Sequence, residues 1–270
     1  MRLFTDGLRK LVRRPATYIT FGLLIGLLSL ILIAVGATAG RQAANGNGQQ
    51  ALLLVTFPGA YTLILSFILG LGGLFAVIYG AAVAGSEWTW GTLKSAVARG
   101  ESRSRYQLLS FAAIAILLGL GLLIAFTVGV GVAFLGAKLA NVSTARLGDS
   151  GTISRLPELL ARGWLAIVEE GALGYAIATL ARSQLAGIGV GIALYFGEQF
   201  ASIFLPDIVK YLPFNAATAV VATTGGGGFG GGGTTISRLE PNVAMLVVAV
   251  WLVGALAVSA FFTERAEISG

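Results

Sequence analysis

Residues 18–39 run for 22 positions without a charged side chain, about 33 Å of helix at 1.5 Å per residue. That length crosses the ~30 Å hydrocarbon core of a bilayer. Apolar stretches of similar length recur within residues 57–84, 108–136, 164–181, 185–205 and 243–262. The chain therefore reads as an all-α polytopic membrane protein with six transmembrane helices. The 108–136 stretch is longer than a perpendicular span needs, so it should tilt or protrude. Composition agrees: 11% of residues are charged and 56% hydrophobic, against roughly 25% charged in a soluble domain.

Cysteine and histidine are both absent. This removes disulfides, thiolate nucleophiles and the commonest general base and metal ligand. No catalytic residue and no metal site is assigned, and no cofactor is expected on this chain. The formal charge of +6 reflects basic residues at the ends of apolar runs, which suits a membrane protein rather than a nucleic-acid binder.

The first run exceeds the 7–15 apolar residues usual for a signal peptide, so it reads as an uncleaved span. Six spans put both termini on one side. With the termini in the cytoplasm, eleven Lys and Arg fall inside and seven outside. The inner set is concentrated in Arg2, Arg9, Lys10, Arg13 and Arg14, and in Lys94, Arg99, Arg103 and Arg105. The positive-inside rule then favours cytoplasmic termini, and the plasma membrane is the expected location.

The chain divides into an N-terminal arm, 1–16, and a six-span domain, 17–270. On a helix, Phe4, Leu8, Leu11 and Val12 of the arm share one face among basic residues. That pattern suits an amphipathic helix lying in the interface before the chain turns inward at Pro15. A basic topogenic flank without fixed structure is the other reading.

Of the outer loops, 40–50 is short and polar. The 137–163 loop contains Pro157-Glu158-Leu159-Leu160, a start for a short helix. Loop 206–241 holds an apolar piece, 211–221, too short to span and suited to an interfacial or re-entrant role. Residues 225–233 are eight glycines broken by Phe229. No Lys-Ser/Thr follows them, so they read as a flexible linker rather than a phosphate loop.

The inner loop 85–106 carries Glu87, Trp88, Trp90, Gly91, Thr92, Leu93, Lys94, Arg99, Glu101, Arg103 and Arg105. Tryptophans beside clustered charge suit a short interfacial helix, and aromatic and Arg-rich surfaces dock partner proteins. An aromatic belt with a basic flank is the plainer alternative. At Glu87, Gly91-Thr92-Leu93-Lys94 and 99–103 the chain resembles the membrane subunits of type-2 ATP-binding-cassette exporters. Tyr211-Leu212-Pro213-Phe214 also looks like that family. The resemblance implies a six-span permease with a coupling loop at 85–106 that contacts a separate cytosolic ATPase, two copies per assembly. It further implies ATP and Mg on that partner, and a second permease subunit, identical or homologous. No Walker A sequence occurs in this chain, so hydrolysis belongs to the partner.

Glu169, Glu170 and Glu198 sit within the fourth and fifth apolar runs, where an ionisable group is costly and by default functional. One reading makes them candidate substrate-pathway residues, lining an outward cavity that attracts a cation or takes up protons. The other makes them structural, neutralised by Arg162, Lys210 or outer-loop backbone. Glu169 and Glu170 point about 100° apart on a helix, which argues against one shared ligand. The functional expectation is a permease exporting a hydrophobic or amphipathic substrate. A membrane-embedded enzyme or a non-transporting scaffold or sensor are the alternatives.

Overall fold

A computed structural model describes residues 2–43, 52–98, 100–221 and 239–265. All regular structure among them is helical. The main helices are α1 (Arg2–Val12), α2 (Pro15–Ala43), α3 (Gly59–Thr89), α4 (Thr92–Ala98), α5 (Arg103–Leu139), α6 (Leu156–Ala181), α7 (Gln184–Ala201), α8 (Pro213–Ala219) and α9 (Pro241–Arg265). The glycine-rich 225–233 segment and most of the 40–50 loop lie outside the described residues.

Proline sets the punctuation. Pro15, Pro157, Pro206, Pro213 and Pro241 each stand in the first turn of a helix, and Pro58 immediately precedes α3. The first turn suits proline because its missing N–H has no intrahelical partner there.

Five helices are long and apolar enough to cross a membrane: α2, α3, α5, the stretch ending in α6, and α9. The fifth expected span corresponds to α7, 18 residues long, or about 27 Å. It carries Gln184, Glu198 and Gln199 and is not one of the five.

Most boundaries lie outside the apolar runs. Helix α3 continues to Thr89, and α5 begins at Arg103, so much of the 85–106 loop is helix. Charge interrupts an apolar run but not an i→i−4 ladder. The fourth span likewise does not start at Trp164. Pro157-Glu158 opens the long helix α6 itself, and Arg162 pairs with Glu158 one turn earlier at 2.6 Å. An acid in the first turn and an i,i+4 pair both favour continuation.

The core is built on α3 and α6, the most buried of the spanning helices. Their backbones touch through glycine: a Cβ on Gly80 would overlap the Gly171 carbonyl, and one on Gly174 would overlap the Val77 carbonyl. Small residues are what allow membrane helices this approach. Ile64, Leu65, Ile68 and Leu69 of α3 and Ile114, Leu118 and Leu122 of α5 fill the interior. Helix α2 lies on α5, α9 on α6, α1 on the start of α5, and α7 on α3 and α6.

The α6–α7 turn is tight. Arg182 adopts a left-handed φ of +49°, and Ser183 accepts a hydrogen bond from the Ala186 amide at 3.3 Å. Gly85 of α3 has no room for a Cβ against Gln184 in this turn.

Residues 211–221 do not lie outside the bundle. Phe214, Ala216, Ala217 and Ala219 are buried, and α8 packs on α9, α6 and α3.

Candidate functional site at the junction of α1, α3 and α5

The polar chemistry at the N-terminal end of the bundle converges on Glu87, in the last turn of α3. Its side chain is buried at 6% exposure. Oε1 accepts from Ser110 Oγ at 2.5 Å and, at 3.5 Å, from the Tyr106 hydroxyl, both on α5. Oε2 accepts from the Tyr175 hydroxyl of α6 at 3.0 Å. One carboxylate therefore ties α3 to α5 and α6.

Two cations face this acid. Arg14, between α1 and α2, donates to Ser86 Oγ at 2.9 Å, and its guanidinium lies 5.4 Å over the Trp90 ring. Lys10 of α1 lines the same cavity. Burial, and then the nearby Arg14 charge, hold the Lys10 ammonium below its ordinary range, while Glu87 pulls the other way. The α1–α2 corner is fixed by Thr17, whose hydroxyl donates to the Leu11 carbonyl at 2.7 Å and lies 2.9 Å from the Tyr79 hydroxyl.

The loop itself is a turn, a short helix and a second turn. Gly91 and Gly100 have φ of +64° and +87°, a region glycine enters without steric cost. They bracket α4, seven residues long, whose Leu93 and Ala96 are buried while Ser95 and Ala98 face out. Thr92 Oγ1 donates to the Glu87 carbonyl at 3.3 Å.

The residues grouped by the sequence thus separate. Glu87 and Leu93 lie inside the bundle. Trp90 is 67% exposed, Arg105 is exposed, and Trp88 and Glu101 are half-buried. Trp88 carries the Arg182 guanidinium over its ring at 5.3 Å. Arg103 donates to the Glu264 carbonyl at 2.9 Å, and the Ser104 amide donates to Glu264 Oε1 at 3.0 Å. These contacts join the start of α5 to the end of α9. Arg99 and the side chain of Lys94 lie outside the described residues. Ser110, Tyr106, Tyr175, Lys10 and Arg14 complete the site, and no local motif marks them.

The three acids of the apolar runs have different surroundings. Glu169 and Glu170 are buried, and their carboxylate oxygens have no hydrogen-bond partner among the described residues. The Glu170 carboxylate rests on Gly73, where an added Cβ would have to displace it. Glu198 accepts from the Asn215 amide at 3.2 Å and from Asn215 Nδ2 at 3.1 Å. It thereby caps the first turn of α8, where N–H groups lack intrahelical partners and the dipole favours an anion. Arg162 turns to Glu158 and Asn242, at 2.6 and 3.1 Å, and Lys210 pairs with Asp207 at 3.2 Å.

Glu198→Ala should loosen α8 at a cost of about 1–3 kcal/mol, the penalty for buried donors left unsatisfied. Glu198→Gln, which keeps one acceptor, should cost less. Thermal unfolding in detergent ranks the two, and equal stabilities would remove the capping role.

Three cavities accompany these groups. One of about 270 Å³ is bounded by Lys10, Arg14, Glu87, Tyr106 and Ser110. An apolar groove of about 380 Å³ lies between α2 and α5, and another of about 350 Å³ lies between α5 and α6 beside Trp164. Glu169, Glu170 and Glu198 line none of these three. Among the described residues no cluster of three or more acidic, His or Cys side chains is arranged to hold a metal. No protein-family model matches the chain, and no curated protein matches it.

Proposed function

We propose that the chain is the permease subunit of an ATP-driven exporter of the type-2 ATP-binding-cassette kind, moving a hydrophobic or amphipathic substrate. In this reading α7 is the sixth span, α1 lies in the interface, and both termini are in the cytoplasm of a cell whose plasma membrane holds the protein. Two permease subunits, identical or homologous, enclose the pathway. Two cytosolic ATPase subunits bind ATP and Mg beneath them and supply the only catalysis.

The observation that carries the reading is the build of residues 85–106. A short helix, α4, is set between glycine turns; Trp90 just before it and Arg105 just after it, in the first turn of α5, face outward, while Glu87 anchors its root to α5 and α6. Exposed tryptophan and arginine are the residue types that anchor interfaces. A rigid root lets a push on α4 reach the spans.

The test uses the chain purified with the product of any adjacent gene that carries a Walker A sequence. Trp90→Ala and Arg105→Glu alter exposed side chains, so the bundle should persist. Each should weaken ATPase co-purification about 30-fold or more, the ~2 kcal/mol of a hot spot, and lower substrate-stimulated hydrolysis. Unchanged association in both variants would overturn the docking surface.

A further inference from the structure

We infer that the cavity between α1, α3 and α5 is a phosphate-binding site, filled by the headgroup of an anionic phospholipid from the leaflet beside the N-terminal helix. The inference requires only that the chain sits in a bilayer, and it is independent of any ATPase.

Size comes first. At about 270 Å³ the cavity falls below the ~300–1,000 Å³ of clefts that enclose drug-sized molecules. It suits a headgroup rather than a whole amphipathic cargo.

The balance of donors and acceptors comes next. Glu87 is satisfied within the protein by hydroxyls of Ser110, Tyr106 and Tyr175. The cations face its charge but donate no hydrogen bond to it among the described residues. Arg14 spends one N–H on Ser86, and Lys10 makes no hydrogen bond among the described residues. Among the described residues, two positive groups therefore share a partly buried space with donors left over; burial and Arg14 work against the Lys10 ammonium, while Glu87 supports it. A tetrahedral anion with acceptors in several directions answers a guanidinium and an ammonium four residues apart, one on α1 and one at the α1–α2 corner.

The lipid source follows from what lies beside the cavity. The groove between α2 and α5, about 380 Å³, is bounded by Val12, Tyr18, Phe21, Ile25, Leu117 and Leu120. These positions continue the same segments that give the cavity Leu11, Arg14 and Ser110. Tyr18 is 64% exposed. A phosphate in the cavity and an acyl chain along the groove use both.

Native mass spectrometry of the purified full chain tests this in two arms. In the first, protein is equilibrated with micelles containing phosphatidylglycerol or phosphatidylcholine. One phosphatidylglycerol per chain should be retained at least tenfold more than phosphatidylcholine. Lys10→Gln should cut that retention about tenfold, Lys10→Arg should restore it, and Lys138→Gln, an exposed change on α5 far from the cavity, should have no effect. Ser95→Glu, which puts a carboxylate at the cavity edge, should also abolish retention and serves if Lys10→Gln does not fold. In the second arm, inorganic phosphate or pyrophosphate replaces lipid. Binding there with the same Lys10 and Ser95 dependence, and none of phosphatidylglycerol, keeps the phosphate site and makes its source soluble. Equal retention of both lipids with no phosphate binding overturns the inference. So does indifference of both arms to Lys10→Gln and Ser95→Glu. Because no ATPase is present, either failure leaves the transporter reading untouched.

Discussion

Gly174→Val should leave the chain unable to assemble its bundle, with little monodisperse protein recovered in mild detergent. The reason is geometric. A Cβ at this position overlaps the backbone carbonyl of Val77, and backbone cannot rotate aside as a side chain would. Overpacking a core by a few methylenes costs about 1–3 kcal/mol; parting the central helix pair adds lost contact along both α3 and α6. Gly80→Val should behave alike, because its Cβ meets the Gly171 carbonyl across the same crossing. Gly189→Val provides the contrast. Nothing lies within 4 Å of that Cβ position, so no overlap arises, and helix propensity changes by less than about 1 kcal/mol, in valine's favour. Recovery and resistance to SDS unfolding measure the difference. Equal behaviour of Gly174→Val and Gly189→Val would mean that the α3–α6 contact is not close.

Glu87→Leu should be the most damaging single change at the α3–α5 junction. It removes the acceptor used by Ser110, Tyr106 and Tyr175 and, among the described residues, the only carboxylate lining the cavity that holds Lys10 and Arg14. Breaking a buried charged network by deleting one member costs about 3–5 kcal/mol. Glu87→Gln retains a carbonyl for Ser110 and loses one acceptor, so about 1–3 kcal/mol is expected. The order in thermal unfolding should be wild type, then Glu87→Gln, then Glu87→Leu. A Gln variant as unstable as the Leu variant would mean that the site needs charge rather than acceptors. Transport defects at Glu87 therefore report on stability first, and the exposed Trp90 and Arg105 are the cleaner probes of docking.

The spans were legible because membrane thickness converts directly into a count of apolar residues, and 18–39 or 243–262 sit squarely within α2 and α9. Their ends were not, since a count of apolar residues stops at Glu87 or Arg103 while the backbone ladder continues. Pro157 correctly marked a helix start, but the helix was the span itself. The place of Glu87 was hidden for a different reason. Its partners stand 19, 23 and 88 positions away, and only the packing of three helices brings them together. The structural reading offered Arg162 and Lys210 as partners of the intramembrane acids, yet each pairs with a carboxylate within one turn, Glu158 or Asp207. Glu198 shows the limit most clearly. Pro213 announced a helix that would need a cap, but nothing local says that the cap comes from the preceding span.

Helix α5 has a mechanical consequence. Its 37 residues form one unbroken rod of about 55 Å, nearly twice the ~30 Å hydrocarbon thickness. Its near end is clamped to Glu87 by Ser110 and to Glu264 by Ser104. At its far end, Gly136 packs on the Leu32 backbone of α2. A pivot of about 5° at one end sweeps the other through about 5 Å, close to a helical turn. A lever arm of this length converts a small displacement on one face of the membrane into a large one on the other.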